Sequence, residues 1–445
     1  MLPPQPGREH MSFQNYNVDQ VFGVSTDILR PSYVDRGHLD ARLARLLGRN
    51  THIALRGESK CGKSWLRQRV VPNAIIIQCR LNKTVRDLYT DALSQLGLQL
   101  VKETTSTNGF VGRLQATGDL GISVLAKLSL NVSGEFRRDS SEKSIPVGRD
   151  LDDLRFVSEI IIASGRRLVI EDFHYLAPSE RRAFAHDLKA LWDYRTYVVI
   201  IGIWAENNLL LHLNPDLTGR IEEVSIYWSA SDLEKVVECG SRALNIEIER
   251  SIIDLLVQDA HGTVGILQKL VLAFLDEHGI IETKRLKTFI GSRDKYESVA
   301  MDYADQLNAL YQTFASRVTG GIRKRQKSTG IYAHMLAVVM DAEVQKLTEG
   351  LSTDDIFQAA HSREPRIQKG NLRQVLQRID GIQVDEDGRG LILTYDANKD
   401  EVFIVDKQLF FYRKYATARW PWERIIEQVN ENGGGYEAEN EVSAI

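Results

Sequence analysis

Cysteine is scarce in this sequence: three residues, Cys61, Cys79 and Cys239, stand far apart in a chain of 445. With no CxxC pair and no Cys/His cluster, the pattern indicates no structural zinc site and suggests a reducing compartment. Long apolar runs are absent as well. The run at residues 198–204 is far shorter than the roughly 20 residues that cross a membrane as a helix, so we expect no membrane span.

A strong net charge is also lacking. The formal charge is −4, which argues against a protein that coats nucleic acid, although a local basic patch is compatible with it. The first ten residues are polar and rich in proline, unlike a secretory signal peptide, so a cytoplasmic location is expected. The length predicts two or three domains.

What the sequence does contain is a glycine-rich loop between an apolar strand and a helix. Residues 53–55 predict a buried strand, and a match to the phosphate-binding pattern G-x-x-x-x-G-K-[ST] begins two residues later. The matching residues are Gly57, Glu58, Ser59, Lys60, Cys61, Gly62, Lys63 and Ser64, and Trp65 follows them in the predicted helix. These nine residues are the candidates for binding a nucleotide.

Such a loop suits a polyphosphate for three physical reasons. Gly57 and Gly62 permit backbone angles that other residues resist, so successive N–H groups of the loop turn inward. The helix N-terminus adds partial positive charge at the same place. Lys63 is expected to contact the β- and γ-phosphates and Ser64 to hold Mg²⁺, which makes ATP and Mg²⁺ the predicted cofactors.

A second candidate motif is an apolar run that ends in two acids. Residues 167–170 predict a strand buried on both faces, and Glu171 and Asp172 follow at its C-terminal end, the edge where open α/β sheets bind ligands. One carboxylate is expected to join the Mg²⁺ shell, and the other to orient or deprotonate a water. Acids also occur at strand ends without such a role, and that alternative stays open.

Two further places contribute candidates for the nucleotide site. Tyr33 and Arg36 stand in a structured lead-in before the phosphate loop, where we expect the base and ribose; packing in a surface turn is the alternative. Glu206 and Asn207 follow the apolar run 198–204. A polar group there is a candidate γ-phosphate sensor or, alternatively, a helix cap.

Alternating strands and helices predict an α/β fold with a parallel sheet covered by helices on both faces. A small helical lid and a winged helix-turn-helix domain are expected after it. The expected boundaries are a flexible extension 1–22, a P-loop core 23–228 with an insertion at 103–148, a lid 229–295, a linker helix 296–327, a winged helix 328–415 and a disordered tail 416–445. Within the insertion, the imperfect alternation at 122–132 predicts a strand or hairpin.

The winged-helix prediction rests on the order of elements near the C-terminus. Three helices are predicted at 332–340, 353–360 and 369–379, and strands at 382–384, 391–395 and 402–405. The third helix would read a DNA groove, with Lys369, Asn371 and Arg373 as the contact candidates. Asp380 and the acids at 385–387 oppose DNA binding, so a winged helix used for protein contacts or as a lid is the alternative.

Taken in order, these elements resemble the AAA+ and STAND families of P-loop ATPases over roughly residues 30 to 415. The sequence VIEDFHYL at 169–176 is similar to the acidic motif of STAND regulators. The lid followed by a winged helix resembles archaeal origin-recognition and transposition-helper ATPases. The resemblance implies phosphate and metal roles for Lys63 and Ser64, a metal-side position for Glu171 and a water-activating position for Asp172.

Two further expectations follow from the resemblance. Arg220 stands just before the last core strand, where AAA+ proteins present an arginine finger to a neighbouring subunit; pairing with Glu222 or Glu223 is the alternative. The lid helix of these families usually carries a sensor arginine, but Gly265 stands at that position here. Slow turnover, or work as a switch, is therefore expected.

We thus predict a regulatory ATPase that couples its nucleotide state to domain arrangement, oligomerisation and the binding of DNA or a partner protein. A place in a mobile-element or defence system is an analogy only. The expected partners are DNA through the winged helix, further copies of the chain, or a regulatory protein. The main alternative is a DNA-binding or scaffold protein that holds ATP without hydrolysing it. A small-molecule kinase is a third hypothesis, which the winged helix disfavours.

Overall fold

The computed structural model describes residues 14–105, 109–131, 142–145, 151–204, 207–320, 329–384 and 390–431. Its strands are β1 His52–Gly57, β2 Ala74–Gln78, β3 Leu98–Thr105, β4 Gly109–Ala116, β5 Glu142–Ile145, β6 Arg167–Glu171, β7 Val198–Gly202, β8 Ile221–Ile226, β9 Ile246–Ile248, β10 Thr288–Ile290, β11 Leu351–Ser352, β12 Leu393–Asp396 and β13 Glu401–Ile404.

Its helices are α1 Leu39–Leu47, α2 Lys63–Val70, α3 Val85–Gln95, α4 Gly118–Asn131, α5 Leu154–Ser164, α6 Pro178–Asp193, α7 Leu209–Leu213, α8 Ala230–Leu244, α9 Arg250–Asp259, α10 Val264–Glu277, α11 Arg293–Gly320, α12 Ile331–Asp341, α13 Val344–Glu349, α14 Thr353–Arg363, α15 Lys369–Leu376, α16 Ile379–Gln383, α17 Gln408–Tyr415 and α18 Pro421–Glu431. Among the described residues, no helix is both long and apolar enough to span a membrane.

The largest sheet has five parallel strands in the order β2-β6-β7-β1-β8. Its central strands are continuous apolar runs because both of their faces are covered: Leu168, Val169 and Ile170 of β6 are at most 1% exposed. Burying a side chain of this size stabilises the fold by roughly 1.5–3 kcal/mol. The predicted α/β class with a parallel sheet is confirmed.

The insertion between α3 and α5 forms a second sheet of three antiparallel strands, β3-β4-β5, together with α4. The prediction of a strand or hairpin at 122–132 is wrong up to Asn131, because these residues belong to helix α4. Val124, Leu125 and Leu128 are buried on one face of it, at a helical spacing that the imperfect alternation concealed. Residues 132–141 lie outside the described part.

The chain divides into two compact units. We call Met1–Arg36, Trp228–Gln312 and Lys407–Arg419 the lid unit, and Gly37–Tyr227, Thr313–Asp406 and Trp420–Ile445 the core unit. The predicted boundaries differ from this division: the predicted linker helix 296–327 is divided between the units after Gln312, and two other segments change place. The lead-in up to Arg36 belongs with the lid helices rather than with the phosphate loop, and α17 belongs with them rather than with the winged helix.

The N-terminal segment of the lid unit is packed from Val18 onward, so the prediction of a flexible extension over residues 1–22 is wrong there. Val18, Val21 and Phe22 are at most 3% exposed. The Phe22 ring fills the space beside Gly240, where an added Cβ would lie 2.1 Å from Phe22 Cζ. The burial of three apolar side chains offsets the entropy lost by ordering this short segment.

Helix α17 is held in the lid unit by a buried carboxylate. Asp259, at the end of α9, is 1% exposed and accepts hydrogen bonds from Tyr296 Oη at 2.7 Å, Lys414 Nζ at 2.7 Å and Tyr415 Oη at 2.6 Å. Tyr296 lies on α11, and the other two donors lie on α17. One carboxylate therefore joins three helices that are far apart in sequence.

The winged helix has the predicted order of three helices (α12, α14 and α15) followed by a hairpin, and its sheet has the strand order β11-β13-β12. The prediction of a strand at 382–384 is wrong, because residues 379–383 form helix α16. The buried amide of Gln383 explains the difference: its Oε1 accepts the N–H groups of Ile392 and Leu393, each at 2.8 Å. A side chain thus makes the bonds that a neighbouring strand would make, and the hairpin instead joins β12 to β13.

The predicted disordered tail begins with a helix, α18, so that prediction is wrong for residues 421–431. Trp422 is 4% exposed, and α18 packs on α12 of the winged helix. The apolar residues Trp422, Ile425 and Ile426 recur at helical spacing and account for this packing. Residues 432–445 lie outside the described part of the chain.

Acid is expected to destabilise the core unit through His52, which is fully buried in β1. Its Nε2 donates to Leu188 O at 2.8 Å and its Nδ1 accepts the Val198 N–H at 2.9 Å; burial, with Arg167 nearby, lowers its pKa from 6.5 to about 4. The stabilisation is complete above pH 6.5 and is lost as the pH falls towards 4, because the unfolded chain binds the proton first. We expect the free energy of unfolding, measured with urea, to fall by about 3 kcal/mol between pH 6.5 and pH 4, and to fall less in a His52→Gln variant. An equal dependence on pH in the two proteins would contradict this.

Candidate functional site

The glycine-rich loop joins the C-terminal end of β1, which lies between β7 and β8, to helix α2. Gly62 has φ 87°, a left-handed conformation that favours glycine. At Gly57 an added Cβ would lie 2.6 Å from Cys61 Sγ and 3.0 Å from Ile226 O. A side chain fits there only if the neighbouring atoms shift, so both glycines of the motif have a steric reason.

Lys63 is the first residue of α2 and is 8% exposed. Its Nζ donates to Gly57 O at 2.9 Å and to Glu58 O, and it lies 3.8 Å from Cys61 Sγ. The ammonium is therefore held inside the loop, against carbonyl oxygens that a polyanion can replace as its partner. Ser64, the next residue, is exposed. A loop closed by glycines around a buried cation fits a polyphosphate.

The two acids, Glu171 and Asp172, lie at the end of β6, on the same edge of the sheet as the phosphate loop. Glu171 Oε1 lies 3.0 Å from Arg67 Nε in an ion pair whose two side chains are each 11% exposed. Arg67 stands four residues after Lys63, on the same face of α2. Asp172 has φ 53° and accepts a hydrogen bond from Gln78 Nε2.

Burial and charge give this edge unusual protonation properties. Burial, followed by the charge of Glu171, raises the pKa of Asp172, while Lys63 and Gln78 act in the opposite direction. Burial and the positive charges of Lys63 and Arg181 lower the pKa of His174 to about 4. His174 is neutral at pH 7, and its Nδ1 accepts the Ile203 N–H at 3.3 Å.

The next strand tip supplies one described candidate. Asn207 is exposed after β7, which neighbours the acidic strand as the sensor hypothesis requires. Asn208 is the N-cap residue of α7, without a side-chain cap bond. Glu206 lies outside the described residues.

Arg220 lies at the other end of the sheet, because it precedes the first residue of β8, whose N-terminal end pairs with that of β1. Its guanidinium donates to Asp216 O at 2.6 Å and lies 4.9 Å from the centroid of the Trp192 ring. The alternative partner Glu223 instead pairs with Arg56 at 3.5 Å. Arg220 is therefore remote from the phosphate loop of its own chain.

Tyr33 and Arg36 belong to the lid unit. Arg36 is 6% exposed, and its guanidinium lies 4.2 Å above the ring of Trp228. Tyr33 is half-buried and follows a short 3-10 turn. Gly265 is the second residue of α10 and is buried, so this position presents no side-chain cation.

Three residues of the site were missed by the sequence reasoning: Arg67, Gln78 and His174. Gln78 is the polar end of an apolar run, and it pairs in register with Glu171; such a residue at a strand end is a signal that the sequence carries. Arg67 stands four residues beyond Lys63, and this helical spacing is likewise visible in the sequence. The approach of His174 to the end of β7 depends on the chain's path and has no local signal.

The winged-helix candidates lie on the exposed side of α15, but two of them are paired within the same domain. Lys369 forms an ion pair with Asp354, and Arg373 Nε lies 3.3 Å from Asp400 Oδ1. Arg373, with help from Tyr395 and Thr353, holds the pKa of the Asp400 carboxyl far below its usual range. Asn371 is exposed.

The parallel sheet, the phosphate loop after β1 and the acidic end of β6, which β7 separates from β1, define the fold of a P-loop ATPase, here with a C-terminal winged helix. No protein-family model and no curated protein matches the chain.

Among solved structures, the chain is similar to the Walker-type ATPase of Pyrococcus abyssi, with 14% identity, a TM-score of 0.48 and coverage of 86% of this chain and 96% of that one. The Orc1 protein of Aeropyrum pernix in complex with DNA shares 10% identity, with a TM-score of 0.41 and coverage of 91% and 98%. AMPPCP-bound DnaA of Aquifex aeolicus shares 13%, with 0.34 and coverage of 82% and 91%.

Proposed function

We propose that the protein is an ATP-binding, Mg²⁺-dependent regulatory ATPase with slow or partner-stimulated turnover. The observation that supports this best is the buried Lys63 ammonium inside a glycine-closed loop, with the carboxylates of Glu171 and Asp172 at the same C-terminal edge of the sheet, at the end of β6, which β7 separates from β1. Binding of the γ-phosphate would bias the arrangement of the domains, and so the exposure of surfaces that bind other molecules.

Each residue has a distinct part in this proposal. Lys63 exchanges the carbonyls of Gly57 and Glu58 for phosphate oxygens. Ser64 and Glu171 would hold Mg²⁺, whose chemistry is to neutralise charge on the phosphates. Asp172 accepts the proton of the attacking water, and burial, which raises its pKa, makes it a stronger base than an exposed aspartate.

The ion pair between Glu171 and Arg67 offers a physical reason for slow turnover. A carboxylate that is already paired at 3.0 Å must leave or share its partner before it holds a metal. Breaking a buried pair is costly, because it leaves a charge without compensation. The start of α10 also offers no arginine at Gly265. Both features favour a switch that turns over rarely.

The decisive experiment is the rate of ATP hydrolysis measured against protein concentration, with and without duplex DNA. A specific rate that rises with concentration supports catalysis that needs a second copy, and a rise with DNA supports DNA as a partner. ATP binding without phosphate release under every condition would favour the alternative, a DNA-binding or scaffold protein that holds ATP structurally.

Replacing Lys63 by Ala is expected to weaken ATP binding by about a hundredfold, because charge-assisted hydrogen bonds to phosphate are each worth about 1.5–3 kcal/mol. Isothermal titration with a non-hydrolysable ATP analogue measures the effect. Lys235→Ala is the matched control: it removes the same charge from an exposed position on helix α8, outside the phosphate loop. Equal affinities of the two variants would contradict the role of Lys63.

DNA binding through α15 is a second candidate function, favoured by the exposed row of Lys369, Asn371 and Arg373. Two features reduce the expected strength of DNA binding. Lys369 and Arg373 are held in internal ion pairs, and residues 329–406 carry fourteen acids against eight Lys and Arg. If α15 reads DNA, Lys369→Ala with Arg373→Ala weakens binding in a fluorescence assay and flattens its dependence on salt. Arg366→Ala, which removes an exposed cation outside α15, serves as the control. Salt-dependent binding that survives the double change would reject this reader.

A further inference from the structure

The lid unit exposes an unusual amount of apolar surface around strand β10. Leu286 is 82% exposed, Phe289 71% and Ile281 69%, although each belongs to a residue type that is normally buried. All three lie within nine residues of one another in the chain. Apolar side chains gathered this way on a well-packed unit indicate a surface that binds another protein segment.

Strand β10 pairs on one side only in the described part of the chain, where it forms a two-stranded parallel sheet with β9. Thr288 N–H donates to Asn245 O at 3.2 Å, and Ile290 O accepts the Glu249 N–H at 2.9 Å. Because alternate residues of a parallel strand bond to opposite sides, the N–H and C=O of Phe289 face away from β9. This edge can accept a further strand.

The exposed side of this edge is basic as well as apolar. Lys284, Arg285 and Lys287 interleave with the apolar residues. Lys287 and Phe289 share one face because the period of a strand is two, and the exposed Arg285 lies in the bend that precedes them. Lys287 Nζ lies 5.5 Å from the centroid of the Phe289 ring, and Lys287 also pairs with Glu247. On the opposite face of β10 itself, the side chain of Ile290 is buried, at 7% exposed. An occupant of this edge must therefore be extended and acidic.

The C-terminal residues 436–445 have the complementary sequence, YEAENEVSAI. Acids stand at every second position, Glu437, Glu439 and Glu441, and the segment contains no basic residue. If extended, it presents three carboxylates on one face, opposite in charge to Arg285 and Lys287. Opposite charges across neighbouring strands stabilise a pair, whereas like charges oppose it.

We propose that residues 436–445 of a second copy of the chain bind along the outer edge of β10, with their acidic face against Arg285 and Lys287. Each copy carries both the edge and the acidic segment, so the contact is head-to-tail. Such a contact joins copies into a closed ring or an open filament. Main-chain bonds to Phe289 supply affinity, and the charge pattern supplies register and specificity.

The contact is weak and sensitive to salt, because exposed ion pairs are screened over about 8 Å at physiological ionic strength. Sedimentation velocity of the full chain, without nucleotide, tests it independently of ATPase activity. Reversing Glu437, Glu439 and Glu441 to Lys, or Arg285 and Lys287 to Glu, is expected to raise the dissociation constant for self-association at least about tenfold. The variant that combines both sets of reversals is expected to recover most of the association.

Two controls test whether the edge of β10 and the acidic segment themselves form the contact. A synthetic peptide of residues 434–445 is expected to compete with association, whereas a scrambled peptide of the same composition is not. Arg285 and Lys287 are exposed, so thermal unfolding of the variant that reverses them is expected to match that of the unchanged chain. Association that is unchanged by either set of reversals overturns the proposal. Hydrogen exchange that shows protection of residues 286–290 in a monomeric chain, at every concentration, overturns the second copy as the occupant.

Discussion

Replacing Asp172 by Asn is expected to slow ATP hydrolysis by about 10² to 10⁴-fold while leaving ATP affinity within about threefold, because a positioned general base contributes that much to a proton transfer. Asn keeps the shape of the side chain, still accepts a hydrogen bond from Gln78 Nε2, and tolerates the left-handed φ of 53°. The change therefore removes the basic oxygen with little disturbance of the fold. Phosphate release under saturating ATP measures it.

Asp187→Asn is the matched control for that experiment. Asp187 is another aspartate whose pKa is raised by burial, but its partner is Tyr89 Oη at 2.8 Å rather than a residue of the loop. The pH profile adds a second check. Because burial and Glu171 raise the pKa of Asp172, the rate is expected to fall with acid through that raised pKa, as the base takes up a proton. Phosphate release that is unchanged in Asp172→Asn, or equally slowed in Asp187→Asn, would exclude Asp172 as the base.

Replacing Arg220 by Ala is expected to lower the rate of ATP hydrolysis in the assembled protein by about 10³ to 10⁵-fold, the range of arginine fingers in P-loop enzymes. Arg220 lies at the end of the sheet opposite to its own phosphate loop, so it can act only on the nucleotide of a neighbouring copy. At dilutions where copies separate, the variant and the unchanged chain should hydrolyse ATP at the same slow rate.

A mixing experiment distinguishes this role from a structural one. Arg220→Ala subunits retain a complete phosphate loop, and Lys63→Ala subunits retain Arg220, so a mixture of the two is expected to recover activity that neither shows alone. The structural alternative is that Arg220 only braces its own loop through Asp216 O and the Trp192 ring. In that case thermal stability would fall, the rate per folded molecule would stay the same, and mixing would restore nothing.

The core of the site was predictable because its signals are local. The loop Gly57–Ser64 is set in part by steric demands that act within eight residues, as the 2.6 Å approach of Cys61 Sγ to a Cβ built at Gly57 shows. The acidic end of β6 follows from a strand buried on both faces, whose apolar run 168–170 ends directly before Glu171 and Asp172. In both places the residues that define the motif are neighbours in sequence, so the pattern can be recognised before the fold is known.

Other predictions failed where a long-range contact outweighs the local pattern. Residues 382–384 read as a strand, but the buried Gln383 amide makes the pairing bonds and the backbone turns as α16. Residues 421–431 read as a disordered tail, yet Trp422 is buried and α18 packs on α12. Alternation over a few residues and polarity of composition are weak evidence beside the burial of a large aromatic side chain.

By itself the sequence determined the class of fold, the phosphate loop with Lys63 and Ser64, and the pair of carboxylates after β6, because short-range sterics and burial dictate each of them. Only the tertiary structure decided that the lead-in and α17 belong with the lid helices, that Glu171 is paired with Arg67, and that Arg220 lies away from its own phosphate loop. These facts depend on which distant residues meet when the chain packs. No local pattern encodes a meeting such as that of Asp259 with Tyr296, Lys414 and Tyr415.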